Sequence, residues 1–260
     1  MDKHTVWIDG VSTDEIGIVL QDVPKLSAPV PRIEAVKIAG RNGDLHFWDG
    51  SYNNRTLRML CYVYRDEFVK DAFGIIQKWA FPKNGVVQID MDDDPTHYMV
   101  GVLENGAEVA ARIDKLAPFE LRFSVSPQRF LKSGQIPISF NLATSGGGAT
   151  QRTFELFSPT SYDAKPILRF SVKNGKEGDG YLVSNGSQGV FLRMRNGTST
   201  NFEIDTQNNS ISSDVENDVV LDYIAEDSNV FSLFGGQNNV SLTGPDNVEK
   251  FEIVPRWWEL

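Results

Sequence analysis

The oxygen and nitrogen ligands that could hold a metal ion are concentrated in one stretch, where four aspartates lie between Asp90 and Asp94 and His97 follows. Carboxylate oxygens suit hard cations, but neighbouring side chains of the run Asp92–Asp94 point apart, and no glycine lies at the position that an EF-hand loop requires. The pattern therefore predicts an acidic, solvated turn before Pro95, and it predicts no metal-binding residues.

Nucleophilic catalysis would need a serine or cysteine activated by a histidine. The three histidines, His4, His46 and His97, lie in turn-like or edge contexts outside any recognisable catalytic motif. Cys61, the single cysteine, is predicted to be a buried structural thiol that cannot form a disulfide within the chain. The sequence therefore predicts no catalytic residues, and it indicates no cofactor.

A glycine tract at Gly146–Gly148 could suggest phosphate binding. It lacks the lysine and the strand-then-helix context that a P-loop requires. The tract is typical of a flexible connection.

The tandem Trp257-Trp258 could stack on a sugar, together with Tyr181 and Phe191. Aromatic side chains on the strands of a β-sandwich more often belong to its core. The sequence leaves both interpretations open.

The composition bounds the remaining possibilities. The formal net charge is −10, and the chain has no cluster of Lys and Arg of the kind that binds nucleic acid by releasing counterions. The hydrophobic fraction of 40% is sufficient for a core. The sequence has no apolar run of about 18 residues that would span a membrane, and its N-terminus has no signal-peptide pattern. We therefore expect folding in a reducing cytoplasm.

The elements that would position these residues are mostly strands, and the central stretch is Val36–Tyr64. A turn at Gly40-Arg41-Asn42-Gly43 and a second polar turn at Asp49–Asn54 are predicted to separate alternating strands. After the second turn, alternation places Leu57, Met59, Cys61 and Val63 on one face of a long strand.

On either side of this stretch the first half contains four further predicted elements. Residues 4–20 read as a hairpin with its turn at Gly10–Asp14, and residues 66–81 form a helix between an Asp66 N-cap and Pro82. Residues 86–91, after a turn at Gly85, and residues 119–125 form strands.

A proline-rich segment precedes the central stretch. Pro24, Pro29 and Pro31 exclude a central strand or a helix interior, so this segment is a surface loop or an arm lying on a neighbour.

The second half predicts a β-sandwich, because short alternating runs recur there without a helical pattern. We place the domain boundary in the 130s, which gives domains 1–132 and 133–260. The expected strands are 153–157, 167–172, 190–194, 202–204, 219–223, 230–234, 239–242 and 251–254.

Several motifs together resemble those of siphophage distal tail proteins. The N-terminal signature is Gly40-Arg41-Asn42-Gly43 followed by Tyr52-Asn53-Asn54-Arg55 and a long strand. Further motifs follow in the order found in the family. One departure is Ser212-Ser213-Asp214, which lies where family members often carry a turn of the type Ile-Asp-Ser-Glu. The further motifs are the junction strand Pro118–Phe130, the entry Leu156–Leu168, the turn Gly236–Gly244 and the closing strand Ile253–Leu260.

The resemblance implies a mainly β architecture, with an N-terminal β-sandwich or barrel-like domain that has one α-helix, as in tail tubes, and a galectin-like β-sandwich after it. It also implies a non-enzymatic hub at the virion tail tip, made in the cytoplasm of the bacterial host. Such a hub is a homohexameric ring, possibly in stacked rings, around a channel that DNA passes without specific binding. Its expected partners are the tail tube protein and the fibre, lysin or receptor-binding proteins, and it does not involve a membrane.

Ring contacts are expected from irregular segments that need a partner. The candidates are the arm at 23–32 with Pro29 and Pro31, the turn containing Arg41, Asn42 and Gly43, and the turn ending at Arg55. We hypothesise that Arg41 and Arg55 pair with acidic residues within the subunit or across the ring.

The alternative function is a carbohydrate-binding protein whose C-terminal sandwich contacts host cell-wall sugars through Trp257 and Trp258. For the hub, we expect a neutral to acidic channel, but the sequence does not decide whether Asp90–Asp94 faces it.

Overall fold

In the computed structural model the protein is described at residues 4–64, 69–81, 85–104, 116–142, 149–195, 200–214, 219–224 and 231–260. The chain divides into unit 1, residues 1–129 with Leu260, and unit 2, residues 130–259. This division falls shortly before the boundary placed at 132/133 from the sequence, and the limits of the functional domains stay a prediction. None of the described helices is long and apolar enough to cross a membrane.

The first-half elements are β1 (Val6–Ile8), β2 (Val11–Ser12), β3 (Ile18–Leu20), β4 (Lys25–Leu26), β5 (Val30–Val36), β6 (Leu45–Asn53), β7 (Arg55–Tyr64), α1 (Val69–Ala80), β8 (Val86–Met91), β9 (Asp94–Leu103) and β10 (Leu116–Val125). The second-half elements are β11 (Arg129–Leu131), a 3-10 helix (Lys132–Gln135), β12 (Ile138–Asn141), β13 (Ala149–Ser158), β14 (Ile167–Val172), β15 (Gly180–Asn185), β16 (Gln188–Met194), β17 (Thr200–Asp205), β18 (Ser210–Ser213), β19 (Val219–Ile224), β20 (Gly236–Pro245), β21 (Val248–Val254) and β22 (Trp258–Glu259). The prediction of a mainly β chain with one α-helix is confirmed.

Unit 1 is built on an antiparallel sheet in the order β2-β1-β8-β9-β10-β7-β3, with β4 also paired to β7. Its longest pairing joins β7 and β10 over their full lengths. The predicted inward face of β7 is confirmed, because its four alternating apolar side chains, including Cys61, are buried. Helix α1 covers the same face through Ile76, Trp79 and Ala80, and the Trp79 indole donates to the Val11 carbonyl.

The predicted hairpin over residues 4–20 is wrong in its pairing. Asp9 and Gly10 both have positive φ, which suits a tight two-residue turn, so β1 pairs with β2 directly after Ile8. The strand β3 instead pairs with β7. A local pattern predicted the strands, but the partner of β3 is distant in sequence.

The predicted polar turn at Asp49–Asn54 is also corrected, because most of it belongs to β6. The ladder between β5 and β6 shifts register between Pro31 and Ile33, so the polar residues form a bulge within the strand. The predicted helix cap Asp66 and stop Pro82 lie outside the described residues.

Unit 2 is a sandwich of two five-stranded sheets, in the orders β12-β21-β14-β17-β18 and β13-β20-β15-β16-β19. Aromatic side chains fill the space between them, with Phe170 stacked 4.6 Å from Phe202 and tilted 4.9 Å from Phe251. Tyr181 is fully buried in this core, and its hydroxyl donates to the Asn247 amide oxygen. The predicted sandwich is therefore present.

One strand predicted in unit 2 is wrong. In the segment 230–234 the described residues form only an isolated bridge, which joins Leu233 to Ala164. The backbone amide of the next residue, Phe234, donates to the side-chain oxygen of Asn238 and not to a neighbouring strand. Val230 and the tract Gly146–Gly148 lie outside the described residues. Within the two sheets of the sandwich, the described strands β12, β15 and β18 were not predicted.

Candidate interaction surface

A two-stranded ribbon, formed by β5 and β6, is a sheet of its own beside the main sheet of unit 1. It begins within the predicted proline-rich arm, and β6 runs into β7 with only Asn54 between them. Isolated two-stranded sheets are marginally stable in water, because they have no second layer to bury their apolar side chains. The ribbon is therefore a candidate interaction surface.

The ribbon exposes large apolar side chains. Ile33 is 55% exposed and Trp48 is 53% exposed, and these two are cross-strand partners on one face. Phe47 is 54% exposed on the other face, where it pairs with Glu34. Exposed aromatic and β-branched side chains in adjacent positions are typical of protein interfaces.

The bulge in β6 holds Trp48 in place. Gly50 has a φ of 86°, and Asp49 accepts hydrogen bonds from the amide and the hydroxyl of Ser51, at 2.8 and 2.6 Å. These bonds lower the pKa of the Asp49 carboxyl group below its ordinary value. The Trp48 indole donates to the Ser51 carbonyl at 2.8 Å, and its ring meets Tyr52 edge-on at 5.6 Å. The exposed indole is therefore oriented before any partner binds.

Arg55 anchors the base of the ribbon. Its side chain is buried, and its Nε donates to the Ser27 carbonyl at 2.7 Å. Burial, and then the nearby charge of Arg129, lower the pKa of the Arg55 guanidinium. The hydrogen bond that the structure describes for Arg55 goes to a backbone carbonyl of the β4–β5 connection, and pairing of Arg55 with a nearby acidic residue stays a prediction, as does pairing across a ring.

The other predicted contact residues lie along the ribbon. Pro29 precedes β5 and Pro31 lies within it, and both are half-buried. Arg41, Asn42 and Gly43 lie in the exposed connection between β5 and β6. We did not predict Ile33 or Trp48, although the alternation around Phe47 was a signal that β6 continues.

The acidic stretch divides between different environments. Asp90 is buried in β8 and accepts a hydrogen bond from Gln88 at 2.9 Å, so the prediction that the whole stretch is solvated is wrong. Asp94 contacts His97 at 2.7 Å and Arg129 at 3.0 Å. Burial alone would raise the pKa of Asp94, but these two partners outweigh it and lower the pKa. No group of three or more potential metal-binding side chains occurs within the described residues.

The tandem tryptophans do not form a shared platform. Trp257 is only 5% exposed and belongs to the core of unit 2, so it cannot offer a face to a sugar. Trp258 is half-buried, stacks on Tyr162 at 4.4 Å and donates its indole hydrogen to the Asp163 carbonyl. Tyr181 is fully buried as well. The candidate sugar contact is reduced to Trp258.

A polar groove of about 470 Å³ lies on the outer face of the sheet containing β14, β17 and β21. Its charged side chains are paired: Arg169 donates to Glu203 at 2.7 Å, and Lys250 lies 2.8 Å from Glu252. Register aligns one row of polar residues across all five strands. The row is Ser139, Glu252, Arg169, Glu203 and Ser212.

Taken together, the helix-backed sheet and the ribbon of unit 1 and the sandwich of unit 2 have the fold of siphophage distal tail proteins. The chain is similar to SPP1 Dit, described as a paradigm of the hub adsorption apparatus in phages that infect Gram-positive bacteria, with 16% identity, a TM-score of 0.62 and 99% of each chain covered. A chain of the phage p2 baseplate in its activated conformation, solved with Sr or with Ca, is similar at 8% identity and a TM-score of 0.50, with 96% of this chain and 97% of that chain covered. No protein-family model and no curated protein matches the sequence.

Proposed function

We propose that this protein is a structural, non-enzymatic subunit of a siphophage tail-tip hub. The observation that carries the proposal is the shared fold over 99% of both this chain and SPP1 Dit. The exposed apolar ribbon of unit 1 supports it independently, because a subunit that works alone has no reason to expose Ile33, Phe47 and Trp48 together.

In this proposal six copies form a ring around the DNA channel. Unit 1 makes the ring, and unit 2 is a galectin-like domain on its periphery. The ring joins the tail tube protein to the fibre, lysin or receptor-binding proteins of the virion. The chain is made in the host cytoplasm and acts at the tail tip.

The channel surface is expected to be neutral to acidic. A polyanion then passes without the counterion release that makes basic surfaces adhesive. On the solvent-facing side of the β7–β10 pair, Glu120 accepts hydrogen bonds from both Arg58 and Arg122, so neither guanidinium is left unpaired. A structure of the ring that shows a continuous belt of unpaired Lys and Arg around the channel would refute this expectation.

Native mass spectrometry and negative-stain microscopy of the purified full chain test the assembly. We expect a hexamer with a central hole at high protein concentration, and its disappearance in Trp48→Asp, which places a carboxylate on the exposed ribbon face. The control is Phe157→Asp, an exposed aromatic of unit 2. A protein that stays monomeric at all concentrations, alone and with the tail tube protein, contradicts the proposal.

The groove of unit 2 supports a second candidate function, the binding of a host cell-wall saccharide. Carboxylates and a guanidinium on one face of the sheet offer hydrogen-bond acceptors and donors side by side, which can orient a hydroxyl-rich ligand. Arg169 and Glu203 hold each other in position for this role. In this candidate function the groove takes the role in sugar binding that the sequence analysis gave to Trp257.

Titration with cell-wall oligosaccharides, followed by NMR chemical shifts, tests this candidate. Binding in the groove is expected to be lost in Arg169→Met and kept in Lys173→Met, whose exposed ion pair with Glu249 is outside the groove. Loss of binding in Trp258→Ala alone would move the site to the Trp258–Tyr162 stack. Absence of shifts in the wild type at millimolar sugar would reject the candidate.

A further inference from the structure

Unit 1 has a second exposed apolar surface besides the ribbon, which we call the valine pair. It consists of Val86 on β8 and Val102 on β9, which are cross-strand partners and are 51% and 39% exposed. The neighbouring Val87 is buried in the core, so the valine pair lies on the opposite, outer face of the sheet.

The valine pair and the base of the ribbon lie at the same end of the sheet. Register places Val86, Val102, Ser124 and Thr56 in one row across β8, β9, β10 and β7. Since strands are about 4.8 Å apart, the row spans about 14 Å. The ribbon continues from β7 just beyond Thr56, and the Asn54 amide, at its base, donates to Ser124 at 3.1 Å.

The two surfaces are separate patches of one subunit. In the order β2-β1-β8-β9-β10-β7-β3, the valine pair lies on the third and fourth strands, and the ribbon continues from the sixth. When copies repeat side by side in the same orientation, the ribbon of one copy meets a surface of the next copy other than its ribbon. This is the relation that a heterologous contact requires, and repeated heterologous contacts close into a ring.

We propose that the Ile33–Trp48 face of the ribbon packs on the valine pair of a second copy of this chain. This inference rests on the proposed ring and names the surfaces that form it. A cross-strand aromatic–aliphatic pair on one side and two valines on the other give an apolar contact of the kind found at the centre of interfaces. The strands of the ribbon have seven and nine residues, which together with their connection is about one side of a standard interface of about 20–30 residues.

The charges favour a second copy as the occupant. A chain with a net charge of −10 repels its own copies, but the ribbon is neutral. Its six exposed charged side chains balance, three of each sign: Arg32, Lys37, Arg41, Glu34, Asp44 and Asp49. Near the far end of the ribbon, Lys37 and Arg41 are available to the exposed Glu104, which follows Val102 by two positions. This contact gives the predicted intersubunit partner of Arg41 a location.

A mixing experiment distinguishes this contact from a symmetric, ribbon-to-ribbon contact. Ile33→Lys removes the ribbon face and Val102→Lys removes the valine pair, and each exposed site tolerates the change without loss of folding, which circular dichroism checks. Each variant alone is expected to associate at least about 30-fold more weakly than the wild type, because each truncates the centre of the interface. The control Ile136→Lys, an exposed apolar site in unit 2, is expected to assemble like the wild type.

When the two variants are mixed, one intact junction remains, between the ribbon of the Val102→Lys chain and the valine pair of the Ile33→Lys chain. We expect native mass spectrometry with one isotope-labelled variant to detect a 1:1 heterodimer and no larger species. A symmetric contact predicts no heterodimer, because only one of the two ribbons is intact.

The outcomes separate this inference from the proposed function. Normal rings from Val102→Lys, or a mixture without heterodimers, would overturn the inference and leave the hub function standing. A wild type that never assembles, alone or with the tail tube protein, would overturn both.

Discussion

The pair formed by Asp205 and Arg256 is expected to hold the closing segment of the chain onto the sandwich of unit 2. Arg256 has a φ of 57°, in the left-handed region, and its Nη1 and Nη2 donate to the two carboxylate oxygens of Asp205 at 2.8 Å each. Asp205 also accepts hydrogen bonds from the backbone amides of Gln207 and Asn208. Both side chains of the pair are mostly buried. We predict that Asp205→Asn destabilises unit 2.

The magnitude follows from the pKa of Asp205. Burial alone would raise it, but Arg256 and the two backbone amides outweigh burial and lower the pKa from 3.8 to about 2. A carboxylate that is favoured to this extent in the folded state contributes about 2 kcal/mol to stability at neutral pH. Because the pKa is lower in the folded state, this contribution is complete above about pH 4 and is lost as the pH falls towards 2.

Hydrogen exchange in urea, read from peptides of β17 and β21, measures the free energy of opening of unit 2 separately from unit 1. We expect Asp205→Asn to lower it by about 2 kcal/mol at pH 7 and by much less near pH 2.5. The control is Glu203→Gln, which breaks the more exposed pair with Arg169 and is expected to cost less than about 1 kcal/mol. Equal losses in the two variants, or a loss for Asp205→Asn that does not depend on pH, would refute the reasoning.

Two further predictions concern the cores of the two units. The Cys61 thiol is expected to resist a thiol reagent until the protein unfolds, because burial raises its pKa to about 12; rapid modification of the folded protein at pH 8 would contradict this. Gly134→Ala is expected to lower the thermal unfolding temperature, because the added Cβ would lie 2.5 Å from the Trp257 backbone nitrogen, whereas the matched Gly74→Ala in α1 meets nothing within 4 Å and is expected to be neutral or stabilising. Equal unfolding temperatures for the two alanine variants would show that the backbone at Trp257 yields to the methyl group.

The sequence predicted the elements whose side chains alternate strictly or recur with a helical period. The buried face of β7, the strand β14 and the existence of a single helix could be read from these local patterns, because burial on one side of a strand or helix imposes its period on the residue types. The same patterns could not assign strand partners. For β3 the pairing with β7 depends on a residue separation that no local period encodes.

The ribbon shows the same limit at the candidate interface. The bulge at Asp49–Ser51 has the composition of a turn, and it is part of a strand only because β5 pairs on both sides of it. Without that pairing, nothing in the sequence indicates that Trp48 lies beside Ile33. The candidate interaction surfaces therefore depend on strand register.

The closing segment shows most clearly what the sequence determines and what only the tertiary structure determines. Its sequence, Pro255-Arg256-Trp257-Trp258, carried part of the family resemblance and two aromatic side chains of equal chemistry. Only the tertiary structure decides that Trp257 enters the core while its neighbour stacks at the surface, because the left-handed backbone at Arg256 and its bond to Asp205 set the direction of the chain. The residue types determined that this segment would pack against the protein. The ion pair between Arg256 and Asp205, which are distant in sequence, decided which of the two tryptophans is buried.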